Sequence, residues 1–162
     1  MGMLAQLATP SGLSADGAGG VYIASRGSNT LRRLFANGTI VAVAGVAFSA
    51  ASSGAGGPAT LARFNSIAGA AADAGGGLWV SDTANNAVRY IWPNRTVTRV
   101  SGNGSAGYLG DGGPATLASM NAPYHALATG SGGGELPSGP GVVHAMRTLS
   151  RIRALSATPS CL

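Results

Sequence analysis

The sequence predicts an all-β protein made of repeated four-stranded units, and two observations support this. The heptapeptide GGPATLA occurs identically at residues 56–62 and 112–118, and residues 10–45 align without gaps on residues 67–102. Within each copy, short runs rich in Val, Ile, Leu and aromatic residues alternate with Gly, Asn and Asp, which tight turns favour. Each copy therefore has room for four short strands joined by turns.

The runs also suggest how the strands pack. We place them near residues 11–15, 21–25, 30–35 and 39–44 in copy one, and near residues 68–72, 78–81, 87–92 and 96–101 in copy two. Residues 40–44 are apolar on both faces, which favours a strand covered on both sides. Four-stranded antiparallel sheets that cover one another radially form a β-propeller. The sequence therefore predicts a partial β-propeller of about two blades plus a remnant, followed by an irregular C-terminal tail.

The predicted boundaries follow the repeat. Blade one spans about residues 7–64, blade two about residues 65–119, and the remnant of a third about residues 120–129. The segment 130–162 begins with GSGGGELPSGPG, a Gly/Ser/Pro-rich linker. Beyond it, apolar residues recur every three positions with arginines between them, which permits a short basic amphipathic helix. We nevertheless expect this segment to be a disordered linker and tail.

The motifs of the repeat resemble those of the NHL repeat family of β-propellers. They are Pro-x-Gly, Asp-x-x-Gly, a strand ending in Val-Ser-Asp-Thr, then Asn-Asn-x-Val-Arg and a Gly-Asp-Gly-Gly-Pro-Ala loop. The resemblance covers residues 7–127 and is best in copy two. Copy one has Ser25 and Arg26 where Asp-Thr would stand, and its long loop lacks a counterpart of Asp111. The resemblance implies a propeller whose relatives include protein-binding and RNA-binding modules, sensor domains and some lyases.

The number of blades bears on assembly. Propellers close with four to eight blades, so two blades and a remnant leave sheet flanks uncovered. Uncovered flanks favour pairing with other chains. We therefore expect further propeller blades as partners, or self-association through the open flanks.

Composition argues against catalysis. Only 9% of the residues are charged, with five acidic residues, two histidines and one cysteine. So few carboxylates make two-carboxylate hydrolysis and oxygen-rich cation sites unlikely. His125, His144 and Cys161 lie in separate segments, which makes a three-ligand zinc site hard to build. We predict no catalytic residues, no cofactor and no metal site. The sequence does not indicate the cellular compartment. No apolar run reaches eighteen residues, so we expect no membrane span.

The net charge of +5 comes from ten arginines and no lysine. Arg32 and Arg89 occupy equivalent strand positions, so we expect them to serve packing or bonds between blades. The aromatic residues also lie inside predicted strands and are poorly placed to stack on bases. Nucleic-acid binding therefore remains a weaker alternative.

The favoured function is a non-catalytic protein-interaction module, with contacts on the long loops between blades. These loops combine large apolar groups with charge, as binding surfaces do. The candidate partner-binding residues are Phe48, Arg63, Tyr108, Leu109 and Asp111. In the competing interpretation, Tyr108 and Leu109 pack under their own loop. The alternatives for the whole chain are a remnant of a propeller enzyme of lyase or lactonase type, and an RNA-binding propeller.

Overall fold

The computed structural model describes residues 5–73 and 75–124, together with the backbone of three strands at residues 126–129, 143–146 and 153–155. Two four-stranded antiparallel sheets are each built in chain order. Blade 1 contains β1 (Pro10–Ala15), β2 (Val21–Ser25), β3 (Thr30–Leu34) and β4 (Ile40–Ala44). Blade 2 contains β5 (Ile67–Ala72), β6 (Leu78–Asp82), β7 (Ala87–Ile91) and β8 (Val97–Ser101). Every strand lies within one residue of its predicted bounds, and the all-β fold is confirmed.

A third sheet follows blade 2. It consists of β9 (Ala126–Thr129), β10 (Val143–Met146) and β11 (Arg153–Leu155), with β10 paired antiparallel to both others. β9 lies within the predicted third-blade remnant at residues 120–129, and β10 and β11 lie in the segment predicted to be the tail. Strands stand at β10 and β11 where the apolar spacing permitted a helix. The rest of segment 130–162, with its predicted disorder, lies outside the described residues.

The turn after the second strand of each blade makes a hydrogen bond to the segment that leads into the next blade. This 3-10 turn spans residues 26–28 in blade 1 and 83–85 in blade 2. It ends in an asparagine with a left-handed backbone, Asn29 (φ 58°) or Asn86 (φ 49°). Asn29 Oδ1 accepts a hydrogen bond from the Ser66 backbone N–H at 2.7 Å. Asn86 Oδ1 accepts one from the Ala122 backbone N–H at 3.0 Å. Asparagine tolerates this backbone conformation better than most residues, so one residue type serves both the turn and the blade junction.

The two blades pack face to face over an apolar core. Leu31 and Val43 of blade 1 meet Val80 and Ile91 of blade 2, with Phe64 of the connection between the blades in the same cluster. All five side chains are buried. The hydrophobic effect of covering these faces is therefore the main force joining one blade to the next.

The innermost strands β1 and β5 approach each other closely. A Cβ atom added at Gly12 would lie 2.6 Å from the Ala68 carbonyl oxygen and 3.0 Å from Gly69 Cα. The Ser11 hydroxyl donates a hydrogen bond to the same Ala68 carbonyl at 3.1 Å. Small residues on these strands thus allow the inner edges of the blades to meet backbone to backbone.

The long connection between the blades, residues 45–66, is held by backbone hydrogen bonds and is not a free loop. The Gly45 N–H donates to the Ala59 carbonyl at 2.9 Å, which ties the connection to the end of β4. The Ala59 N–H in turn donates to the Arg95 carbonyl at 2.8 Å, and the Gly56 N–H donates to the Val97 carbonyl at 2.7 Å. The middle of the connection therefore joins the outer strand of blade 1 to the outer strand of blade 2.

Candidate functional site

A buried ion pair lies at the junction between blade 1 and blade 2. Asp82, the last residue of β6, has its Oδ2 atom 2.7 Å from Arg89 Nε, and the two side chains are 0% and 3% exposed. Asp82 Oδ1 accepts the Asn65 backbone N–H at 2.7 Å, and Oδ2 accepts Asn85 Nδ2 at 2.9 Å. Burial raises the pKa of the Asp82 carboxyl and lowers that of the Arg89 guanidinium, while each partner's charge opposes the other's shift.

Arg89 uses its remaining nitrogens to hold the connection from blade 1. Nη1 donates to the Ser53 carbonyl and Nη2 to the Ser52 hydroxyl, each at 3.0 Å. The guanidinium also lies over the Phe64 ring, 4.7 Å from its centroid. The planar fork of arginine suits such a combination of stacking and directed hydrogen bonds. The cluster is therefore a structural junction, in agreement with the inter-blade role expected for Arg89.

At the opposite end of each blade, an aspartate at the turn between the first and second strands bonds to a side chain of the third strand. Asp16 Oδ2 lies 2.6 Å from Arg33 Nη2, and Asp16 Oδ1 accepts the Ala18 backbone N–H at 2.8 Å. These two hydrogen bonds lower the pKa of Asp16 below its ordinary value. In blade 2 the equivalent pair is Asp73 and Tyr90, whose hydroxyl donates to Asp73 Oδ2 at 2.6 Å. Burial and this hydrogen bond raise the pKa of Tyr90 well above its usual range.

The aromatic residues of blade 2 form a packed group. The Tyr90 ring lies 4.8 Å from the Trp79 ring and 4.9 Å from the Trp92 ring, centroid to centroid. Trp79 and Tyr90 are buried, and Met120 packs against the same group. These rings contribute to the face of blade 2 that points away from blade 1, so Trp79 and Tyr90 present no open ring face for a nucleic-acid base.

The five predicted partner-binding residues fall on two successive connections, and all five are exposed. Phe48 and Arg63 belong to residues 45–66, and Tyr108, Leu109 and Asp111 belong to residues 102–122. Phe48 is 76% exposed, Tyr108 65% and Leu109 80%. Tyr108 and Leu109 thus project toward solvent and are not packed under their own loop.

The backbone beneath these side chains is held in place. The Phe48 N–H donates to the Ser28 carbonyl at 2.9 Å. The Leu109 N–H donates to the Ser119 hydroxyl at 2.8 Å, and the Ser119 N–H donates to the Leu109 carbonyl at 2.9 Å. Asn121 Nδ2 donates to the Tyr108 hydroxyl at 3.1 Å. The exposed groups are therefore presented by ordered connections.

Sequence reasoning missed two further exposed positions. Leu61 and Leu117 occupy the same place in the two copies of GGPATLA, and both are largely exposed. The signal was the identical heptapeptide itself, which places a leucine at the same point of each connection. These leucines add to the apolar surface of the connections.

Arg26 was also missed as a contact residue. Its Nε donates to the Ser66 hydroxyl at 2.6 Å and its Nη1 to the Tyr124 hydroxyl at 3.1 Å. Copy two has Thr83 at this position, and its hydroxyl donates to the Pro123 carbonyl at 2.7 Å. Both side chains reach toward the segment that begins a following blade. Copy one has Arg26 where the Asp-Thr motif has threonine, and the longer arginine side chain extends further toward the next segment.

Within the residues that the structure describes, no three His, Cys, Asp or Glu side chains are grouped so that they could hold a metal ion. No helix in this described part is long and apolar enough to cross a membrane.

Comparison with known proteins supports the fold. No protein-family model and no curated protein match the sequence. A Bacteroides thetaiotaomicron protein of unknown function has a TM-score of 0.64 and 17% identity, over 78% of this chain and 29% of its own. An auxiliary nutrient binding protein from Bacteroides ovatus has a TM-score of 0.54 and 23% identity, over 67% of this chain and 29% of its own. With the sheet topology, these likenesses identify the chain as a partial β-propeller.

The chain spans less than a third of the length of each of these two structures. At this level of identity, the likeness concerns the fold, and fold alone does not fix function.

Proposed function

We propose that the chain is part of an NHL-type propeller that acts as a non-catalytic protein-interaction module, with its binding surface on the connections between blades. The observation that carries this proposal is the exposure of Phe48, Tyr108 and Leu109 on connections whose backbone is held by hydrogen bonds. Large apolar and aromatic groups dominate the energy of protein interfaces. Groups ordered before binding also lose less conformational entropy when a partner arrives.

Charged residues on the same connections support a protein partner. Arg63 and Asp111 are exposed on the same two connections. An apolar centre with a charged rim is the usual arrangement of a protein interface. The net charge of +5 favours association with a partner whose surface is acidic.

The NHL assignment is supported by where its motifs fall. The motif Val-Ser-Asp-Thr ends in Asp82 and Thr83, and Asn-Asn-x-Val-Arg contains Asn86 and Arg89. All four side chains bond to a connection outside their own blade: Asp82 to Asn65, Thr83 to Pro123, Asn86 to Ala122 and Arg89 to Ser53. The residues that carry the family resemblance are thus the residues that join blades, as a propeller repeat requires.

The test is capture of partners by the full chain, with two matched variants. The loop variant combines Phe48→Ala with Leu109→Ala, and the control is Val41→Ala, which removes an exposed apolar side chain from β4. Captured proteins are identified by quantitative mass spectrometry. We expect the loop variant to lose about tenfold in capture, since interface anchors cost more than 1 kcal/mol when truncated. The control should retain capture, and the melting temperatures of both variants should match that of the parent.

Two results would contradict the proposal. The first is equal capture by the parent and the loop variant, which would move the interaction face to the turns at Asn37 and Asn94. The second is capture abolished by ribonuclease, which would identify the RNA-binding alternative. A fall in melting temperature of the loop variant would instead show that these side chains are structural.

A further inference from the structure

The flank of blade 1 that faces away from blade 2 is the repeat counterpart of a surface that is covered in blade 2. Across blade 1, the register aligns Leu13, Ile23, Arg32 and Ala42 on this flank. The same register in blade 2 aligns Ala70, Val80, Arg89 and Arg99. Blade 1 and its connection cover the blade 2 surface, so that Arg89 is 3% exposed, whereas its counterpart Arg32 is only partly buried. Ile23 is buried like its counterpart Val80, but Leu13 at the edge of the flank is 72% exposed.

Arg32 stands in a groove on this open flank. The groove has a volume of about 450 Å³ and is lined by Arg32 together with Leu7, Ala42, Phe48 and Ser28, among others. Arg32 Nε is buried and makes no hydrogen bond within the part of the chain that the structure describes. A buried donor without an acceptor costs free energy. The groove therefore holds a polar group that lacks its partner.

The equivalent arginine in blade 2 shows what is missing. Arg89 receives a carboxylate from Asp82, a carbonyl from Ser53 and a hydroxyl from Ser52. In blade 1, Ser25 replaces Asp82, so the blade's own carboxylate is absent. Leu7 stands 57 residues before Phe64 and takes its place in the groove.

We propose that the flank of blade 1 docks the connecting loop of a neighbouring propeller blade, and that this loop brings a carboxylate to Arg32. The fold itself identifies this kind of occupant, because residues 51–64 cover the equivalent flank of blade 2. The carboxylate requirement follows from Ser25, since a docked but neutral loop would leave the Arg32 charge unpaired. This inference concerns the flank of blade 1, which shares Phe48 with the interaction surface on the connections, whereas Arg32 belongs to the flank alone.

The loops of a second copy of this chain do not meet the requirement. Ser52 bonds to Arg89 in the first connection, and Tyr108 occupies the same repeat position in the second. Neither side chain is a carboxylate, and Asp111, the acidic residue of the second connection, stands at the repeat position of Ala55, three residues further along. The chain's net charge of +5 further opposes its own association and favours an acidic segment. The occupant is therefore a loop of different sequence with an acidic residue at the Ser52 position.

The experiment supplies such a loop on the full chain. Residues 1–5 are replaced by a copy of residues 46–62, which keeps the repeat register before Gln6. The neutral form carries the copy unchanged, and the acidic form carries Ser52→Asp in the copy only. Covalent attachment gives the loop a high effective concentration at the flank. Thermal unfolding is followed for both forms, each in the parent, Arg32→Gln and Arg99→Gln backgrounds.

We expect the acidic form to melt about 3 °C above the neutral form, the shift that roughly 1 kcal/mol gives in a domain of this size. Arg32→Gln should abolish this difference, and Arg99→Gln, which alters an exposed arginine on β8, should leave it intact. Because each comparison is made within one background, a general loss of stability in Arg32→Gln does not affect the result.

An absent difference, or one that survives Arg32→Gln, would overturn the proposal. Sedimentation of the unaltered chain tests the other occupant. A discrete dimer that Arg32→Gln dissociates would show that a second copy occupies the flank, and it would also overturn the proposal.

Discussion

At the scale of single residues, the Asp82–Arg89 pair is the most demanding contact in the fold. Both side chains are buried, and Arg89 also holds the connection from blade 1. Removing one charge of such a pair strands the other in a medium that solvates it poorly. Loss of the pair would therefore destabilise both blade 2 and its contact with the connection from blade 1.

We expect Asp82→Asn to lower the free energy of unfolding by about 3 kcal/mol, the usual cost of breaking a buried ion pair. Urea unfolding of the full chain measures it. The matched control is Arg99→Gln, which removes an exposed charge from β8 and should change stability by less than about 0.5 kcal/mol. Equal losses in the two variants would show that the buried ion pair stabilises the fold no more than an exposed charge does.

Asp16 gives the chain an acid-sensitive contact. Hydrogen bonds from the Ala18 backbone N–H and from Arg33 lower the pKa of Asp16 below 3.8. The folded state therefore binds this proton less readily than the unfolded state. The stabilisation is complete above the unfolded value and is lost as the pH falls through the lowered, folded-state pKa.

The corresponding variant is Asp16→Asn. We expect the parent to lose stability as the pH is lowered below about 4, and the variant to show a shallower dependence over this range. Denaturant unfolding at a series of pH values measures both slopes. Parallel slopes in the parent and the variant would mean that Asp16 titrates identically in the folded and unfolded chains.

At the scale of secondary-structure elements, the sequence predicts local structure well and long-range pairing poorly. The turn residues and apolar runs place all eight strands of blades 1 and 2 within one residue, because both signals are local. The attachment of the first connection to Arg95 and Val97 is different. Its residues are small and lie far along the chain from their partners, so no local pattern marks the contact.

The candidate site likewise has a part that local sequence predicts and a part that depends on long-range contacts. Exposure of Phe48, Tyr108 and Leu109 follows from large apolar residues standing among Gly and Ser in a loop. The Asp82–Arg89 cluster, in contrast, needs Ser52, Ser53 and Phe64 to arrive from a different blade. The repeat equivalence of Arg32 and Arg89 indicated a junction role but named no partner. Only the folded chain reveals that Arg32 and Arg89 differ in what they contact.

The close approach of β1 and β5 makes a prediction for the inner strands. Gly12→Ala would place a Cβ atom 2.6 Å from a carbonyl oxygen of the next blade, and both nearest neighbours are backbone atoms. Because backbone yields little, we expect a loss of about 1–3 kcal/mol, the range for overpacking. Gly57→Ala is the control, since its nearest neighbour lies at 3.5 Å. Urea unfolding compares them, and equal stability of the two variants would show that the blades can separate without cost.

At the scale of the whole molecule, the open flank of blade 1 determines how the chain behaves alone. Leu13 of β1 is exposed on this flank, and Ala42 and Phe48 line the groove at its other side. An apolar sheet face without a cover favours association. The positive net charge opposes it through repulsion between copies. The balance of these two forces sets the concentration at which the chain associates.

We therefore expect the full chain to self-associate at micromolar concentration, and to do so more strongly as salt is added. Salt screens the repulsion between positively charged copies and leaves the apolar attraction in place. Light scattering against protein and salt concentration measures this. Leu13→Glu should reduce association because it puts a charge into the apolar face. Arg32→Gln should not reduce it, since it removes a repelling charge. Association that salt dissolves, or that Leu13→Glu leaves unchanged, would show that the copies meet through charged groups away from the flank of blade 1.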